Sequence, residues 1–296
     1  MTPHTAQDAG RARRAQFVRL VQARGAIAIL VLVCLIAGRV FPHFLSAPNL
    51  LDIVAAAAFV ALITIGQSFV IILGGFDLSV GSLVGLGTVI AAYAAPYGWG
   101  AALAAPVCVG LIVGLMNGWL IARARMAPFI VTLAALLGLK GLSLVLASQD
   151  MLIANPGFFA TIANGSLFGV GHLVWIVLVA YLVAAFVLNH TRYGAGVFAI
   201  GGNEEAARML GVNVEGLKVV TYGLSGALAG LAGVLLTGGV GTLFGPLAGV
   251  LLLGVIENVI NQVGTLSPYY QNLASGAFLL LAVIAQTLLT GKRRKR

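Results

Sequence analysis

The sequence predicts an all-α protein, a polytopic bundle of about 9–10 membrane-spanning helices. Three observations predict it. Only 8% of the 296 residues are charged while 60% are hydrophobic, against roughly 25% charged in a soluble domain. So few charges cannot cover a globular surface with solvated groups, and lipid must be the solvent. The apolar residues also gather into runs close to the roughly 20 residues that cross a bilayer. Finally, the basic residues flank those runs. They occupy the N-terminus (Arg11, Arg13, Arg14, Arg19, Arg24), two short loops (Arg123 with Arg125; Arg192) and the tail Lys292–Arg296.

Taken in order, the predicted spans are Gly25–Phe44, Leu51–Leu73, Val80–Ala95, Ala101–Ile121, Phe129–Ala147, Leu173–Leu188, Leu217–Leu236, Leu247–Val263 and Leu273–Leu289. Pro48, Pro96, Pro128, Pro156, Pro246 and Pro268 fall in the gaps, where the chain reverses. Tyr97, Trp99, Trp175, Tyr269 and Tyr270 sit at span ends, as interfacial aromatics do. The organisation is therefore a basic cytoplasmic N-terminus (1–24), a membrane domain (25–290) with a cytoplasmic loop at 189–216, and a basic cytoplasmic tail (291–296). The first apolar run follows a long basic stretch without a small-residue cleavage site, and reads as a retained span.

With the N-terminus inside, four spans return Arg123 and Arg125 to the cytoplasm, and two more return Arg192. Three further spans would then leave the basic tail outside, against the positive-inside rule. The Gly-rich stretch 235–246 is where the count breaks: either one run is re-entrant or a segment is missing. The charge of +9 needs no nucleic acid to explain it, because its placement is that of span flanks. Cys34 and Cys108 lie in apolar runs and read as packing residues. No Gly-x-x-x-x-Gly-Lys-[Ser/Thr] run is present, and His4, His43, His172 and His190 show no metal spacing.

Glycine spacing points to close helix contacts. Gly81/Gly85, Gly110/Gly114/Gly118, Gly226/Gly230 and Gly241/Gly245/Gly249 all repeat every fourth residue. In lipid, apolar side chains gain little by hiding, so close backbone approach supplies packing energy.

Four places carry candidate function. Asp77, with Ser79, sits in the broken segment Gly74–Ser82. It either lines a passage, since irregular backbone at membrane depth is tolerated beside water or protein, or caps the next helix. Lys140 lies inside an apolar run and is read first as snorkelling, or as pairing with Asp77 or Glu257. Glu257, Asn258, Asn261 and Gln262 form a polar stripe that either touches a polar substrate or bonds between helices. Asp77, Ser79, Glu257, Asn258 and Asn261 are the candidate path residues.

The fourth is Asn203–Gly211. Asn203 is a good N-cap, Glu204 and Glu205 suit the first turn, and Ala206, Ala207, Arg208, Met209 and Leu210 favour helix. Gly211 suits the position just past the end. So short a helix is marginal alone, so the bundle or a cytoplasmic partner must hold it.

Several of these stretches together resemble the permease subunits of bacterial ribose, xylose and arabinose ABC importers. Gly74-Gly75-Phe76-Asp77-Leu78-Ser79-Val80-Gly81-Ser82 carries the likeness, as does Ala199-Ile200-Gly201-Gly202-Asn203-Glu204-Glu205-Ala206-Ala207-Arg208. Met126–Leu133 and 254–271 fit as well, and the likeness runs from about Phe44 to Thr290. The resemblance implies a type II importer fold, two copies paired in the bacterial inner membrane, an ATPase dimer below and a periplasmic sugar-binding protein above. This chain would bind no cofactor itself, and ATP would be used by the partner subunit. Gly201, Gly202, Asn203, Glu204, Glu205, Ala206, Ala207, Arg208 and Gly211 match the region that touches the ATPase. The sequence departs from the family after 217–233: a Gly-Tyr-Glu-Leu stretch and a further membrane segment are expected there, yet Gly233 runs almost directly into Thr237-Gly238-Gly239. The competing reading is an ion-coupled secondary transporter using Asp77, Lys140 or Glu257. A membrane-embedded enzyme is disfavoured, because no nucleophile–base or metal constellation occurs.

Overall fold

The computed structural model describes residues 30–147 and 165–237. The described residues form nine α-helices, a 3-10 turn at Ala95–Tyr97 and one small hairpin. The helices are α1 (Leu30–Val40), α2 (Ala47–Ile72), α3 (Val80–Ala94), α4 (Trp99–Ala122), α5 (Pro128–Ala147), α6 (His172–His190), α7 (Arg192–Gly202), α8 (Glu204–Met209) and α9 (Val214–Thr237). Strands β1 (Ser166–Leu167) and β2 (Val170–Gly171) pair antiparallel just before α6. Among the described residues, α3, α4, α5, α6 and α9 are long and apolar enough to cross a membrane, and α2 is a sixth, bent candidate. The predicted spans from 247 onward lie outside the described residues.

Two compact units divide between Ile53 and Val54. In the first, Ala37, Phe44 and Ile53 bury together under Leu30, Val33, Cys34 and Phe41. The Asn49 side chain donates to the Phe44 carbonyl at 2.8 Å, holding the turn that starts α2.

The second unit is organised around α9. Of its span, 61% is buried, against 11–33% in the other four spanning helices. The α4–α9 contact is built from glycine. A Cβ at Gly110 would overlap the Gly226 carbonyl, one at Gly114 the Tyr222 carbonyl, and one at Gly230 the Pro106 carbonyl. At Gly118 it would come within 2.7 Å of Val219 Cα. The two backbones therefore touch over several turns, where many small dispersion contacts add up. On its other side α9 meets α3, where a Cβ at Gly87 would lie 3.0 Å from the Gly230 carbonyl. Thr88 Oγ1 donates to the Gly233 carbonyl at 3.2 Å across the same contact.

Spacing alone does not identify these glycines. Gly81 and Gly85 share the four-residue repeat, yet a Cβ at either would meet nothing within 4 Å.

The ends of the helices agree with the topology expected from charge. Arg123, at the C-terminus of α4, pairs with Glu215, in the first turn of α9. Leu73, just past α2, buries with Val197 and Ile200 of α7 and Ala207 of α8. The α2–α3 turn, the α4–α5 loop and the 189–216 loop thus share one end. At the other, Tyr93 Oη donates to the Leu146 carbonyl at 2.6 Å, joining the C-termini of α3 and α5.

The seam makes a paired prediction. Gly114→Ala forces α4 from α9 and costs about 1–3 kcal/mol. Gly85→Ala projects into open space and stabilises its helix by about 0.5–1 kcal/mol. Thermal unfolding of the purified protein in detergent should shift in opposite directions for the two variants.

Candidate functional site

The cytoplasmic end, as the charge rule assigns it, carries two connected features. The first is the short helix α8. Asn203 adopts an extended backbone as its N-cap, and its side-chain oxygen accepts from the Ala206 N–H at 3.0 Å. Glu204 and Glu205 fill the first turn, where negative charge suits the exposed N–H groups. Leu210 closes the helix and Gly211 follows with φ +80°, the left-handed conformation glycine adopts without a Cβ penalty. Inward, only Ala207 is buried, wedged among Leu73, Val197, Ile200 and Val214. Outward, Met209 and Leu210 are 81% and 83% exposed, two apolar side chains presented to solvent.

Helix α7, unrecognised within the 189–216 loop, brings α8 into place. Its N-cap is Thr191, whose Oγ1 accepts from the Gly194 N–H at 3.2 Å. Near its end, Gly201 presses against the Ile72 carbonyl so closely that a Cβ could not fit. Gly202 is exposed with open space around it. Of the predicted coupling residues, then, Ala207 is buried and Gly201 touches Ile72 on one side, while Glu205, Ala206 and Arg208 are exposed.

Charged side chains join α8 to its neighbours in one ladder. Lys218 Nζ lies 2.7 Å from Glu204, Arg208 reaches both Glu204 at 3.4 Å and Glu215 at 3.2 Å, and Arg123 lies 3.5 Å from Glu215. The Lys218 hydrogen bond first, and then the nearby positive charges, hold the Glu204 carboxyl below its ordinary pKa. Asn213 caps the start of α9, accepting from the Gly216 N–H at 3.0 Å and fixing where Glu215 and Lys218 project.

The second feature is the α2–α3 turn. The Asp77 carboxylate is 3% exposed. One oxygen accepts from the Ser79 N–H at 3.0 Å and the Ser79 hydroxyl at 2.6 Å. The other accepts from the Ser225 hydroxyl of α9 at 3.1 Å. Asn117 of α4 donates to the Ser79 hydroxyl at 3.1 Å. Gln67 of α2 donates to the Asp77 carbonyl, and Tyr222 of α9 to the Phe76 carbonyl. The carboxylate therefore fastens the turn to α9 and to the start of α3, while Asn117 and Gln67 tie the same turn to α4 and α2 through the Ser79 hydroxyl and the Asp77 carbonyl. It bonds the N-cap residue of α3 itself, not the N–H groups one turn inside that a helix cap would satisfy. Asp77 and Ser79, read from sequence as path residues, are sealed inside the bundle in this conformation, at 3% and 0% exposure.

Lys140 is exposed on α5 and takes part in none of the ion pairs among the described residues; Asp77 is occupied by hydroxyl donors instead. Glu257, Asn258, Asn261 and Gln262 lie outside the described residues. Lys218, Glu215, Ser225, Asn117 and Tyr222 were passed over in the sequence. Each is a polar group within or beside an apolar run, and that was the available signal. Among the described residues, no group of three or more His, Cys, Asp or Glu side chains is placed to hold a metal ion.

A glycine-packed bundle of spanning helices, with a short capped helix lashed to its end, is the architecture of a multi-pass membrane protein. The comparisons give its family: residues 49–237 match the branched-chain amino acid transport system / permease component family, and the chain belongs to it. It is a transport component of an ABC importer, not an enzyme. It is 33% identical to the ribose import permease protein RbsC of Escherichia coli K12, over 90% of this chain and 93% of that protein. It is 33% identical to the galactose/methyl galactoside import permease protein MglC of Salmonella typhimurium, over 90% and 94%. Against the inner membrane ABC transporter permease protein YjfF of Escherichia coli K12 it is 32% identical over 84% and 87%. The protein is accordingly a multi-pass membrane protein, and one of its relatives is named as an inner membrane permease. No solved structure matches the chain.

Removing the Asp77 carboxylate strands two serine hydroxyls and a backbone N–H. Hydrogen bonds to a charged group contribute about 1.5–3 kcal/mol each. Asp77→Ala should therefore lower the unfolding temperature more than Asp77→Asn, whose amide oxygen still accepts from Ser79. Equal shifts in the two variants would contradict the fastening role.

Proposed function

We propose that this chain is the membrane-spanning subunit of an ATP-driven importer for a monosaccharide, working as two copies in the bacterial inner membrane. A cytoplasmic ATPase drives it, and a periplasmic sugar-binding protein delivers the sugar. What supports the sugar assignment is the naming of the relatives, which import ribose and galactose and share about a third of their residues with this chain over most of its length. The carrying geometric observation is α8: a six-residue helix, anchored inward by Ala207, with Met209 and Leu210 turned to solvent. Apolar side chains so exposed on a cytosolic element favour a protein partner. We assign them, with Glu205 and Arg208, to the contact with the ATPase. ATP-driven closure would then push α8 and tilt the bundle between outward-open and inward-open states. Sealing of Asp77 and Ser79 fits a closed conformation, and a path through them would require α3 to part from α9.

The chain also lacks residues that its relatives have. The alignment with RbsC runs over 303 positions, more than the 296 residues of this chain, although only 90% of the chain takes part. The family match ends at Thr237, where the Gly-rich junction begins. We place the missing segment after Gly233, which also restores the expected cytoplasmic position of the basic tail.

Two experiments test this reading. In proteoliposomes with the cognate ATPase and binding protein, sugar uptake should require ATP, and Met209→Glu with Leu210→Glu should abolish co-purification of the ATPase. Uptake driven by an ion gradient without nucleotide would overturn it in favour of a secondary transporter. If the lost segment leaves the pore altered or inactive, restoring a relative's segment after Gly233 should raise ATP-dependent uptake; equal uptake with and without it would refute that defect.

A further inference from the structure

We infer that Lys218 and Arg123 are positioning residues for transport: through Glu204, Arg208 and Glu215 they yoke α8 to α9 and α4 together, so that a push on α8 moves those two helices as one body. The inference rests on the assignment of α8 as the ATPase contact. The ladder supplies its geometry. Its two ends are cations on different spanning helices, Lys218 one turn into α9 and Arg123 at the C-terminal cap of α4. Between them, Glu204 and Arg208 belong to α8, and Glu215 to the first turn of α9.

The helices at those ends are the pair that cannot slide past each other. Their backbones interlock at Gly110, Gly114, Gly118, Gly226 and Gly230. A ladder ending on only one of them would pull at a single point; this one grips both at the end where α8 sits. Arg123 is also well placed electrostatically, because a cation at a helix C-terminus faces the free carbonyls there. Lys218 is the least exposed member, its side chain 18% accessible, and it makes the shortest contact, 2.7 Å to Glu204. Ala207 and the short hydrogen-bonded connections to α7 and α9 fix the position of α8, and the ladder adds the charged contacts that carry a push on it to the two spanning helices.

A purely structural role would look different. Exposed ion pairs contribute roughly 0–1 kcal/mol each, so losing one leaves the bundle folded. The effect should therefore fall on the transmission of movement and not on assembly.

The test uses the complete importer in proteoliposomes, reading sugar taken up per ATP hydrolysed, with ATPase co-purification and unfolding temperature measured on the same preparations. Lys218→Met and Arg123→Met should each lower uptake per ATP by up to about fivefold, the factor that about 1 kcal/mol corresponds to, with the ATPase still bound. Lys218→Arg and Arg123→Lys should restore it, because they keep the charge. Unchanged uptake per ATP in both Met variants would overturn the inference. So would a loss that merely tracks a lower unfolding temperature or a missing ATPase. The Met209→Glu, Leu210→Glu variant is run in parallel. If it still binds the ATPase, the docking assignment fails; if it loses the ATPase while the Met variants transport normally, only the yoke fails.

Discussion

The contact on which this structure depends is the bare backbone approach of α4 to α9. In water, two apolar helices associate because their side chains leave the solvent. In lipid that drive is nearly absent, and association must come from contact at short range. Glycine allows it: at Gly110, Gly114 and Gly230 the opposing carbonyls stand where side chains would be. Helix α9 is thereby drawn into the middle of the unit, and α3 can close over its other face through Gly87 and Thr88. Tyr222 and Ser225, the α9 residues that reach the α2–α3 turn, are positioned only because the seam fixes the rotation of α9.

Polar groups then connect this core to its cytoplasmic end. Around Asp77 they are buried and mutually satisfied, which in a medium without water is the condition for tolerating a carboxylate at all. Around α8 they are partly exposed and charged, each pair weak, but joined into a chain that touches three elements. Leu73, which directly precedes the turn that Asp77 closes, packs against Ala207 of α8.

Much of this was legible in the residues. The predicted spans over 80–95, 101–121, 129–147 and 173–188 differ from α3 to α6 by no more than two residues at any end. Apolar length is set by bilayer thickness, a constraint every span shares. Helix α8 was readable because Asn203, Glu204, Glu205 and Gly211 each satisfy a local rule at a helix end. Helix α7 was not: Gly194, Gly196, Gly201 and Gly202 give it poor intrinsic propensity, and it forms because the first three let it press on Leu188, Leu217 and Ile72. The role of Asp77 was narrowed to two alternatives, path or cap; its bond to Ser225 was not legible, because that partner is distant in sequence. Lys218 stayed hidden at the edge of a predicted span, fourteen residues from the glutamate it meets. Gly81 and Gly85 show the converse limit, because spacing records a face and not what stands opposite it.

The seam also sets an order of events during synthesis. Gly114 and Gly226 meet face to face but are separated by more than a hundred residues of chain. At ordinary translation speeds of about 5–20 residues per second, that interval lasts roughly 6–22 s. For that time α4 waits in the bilayer with its groove facing acyl chains or some provisional neighbour. The nascent protein is most vulnerable to mispairing then, and only the arrival of α9 ends the wait.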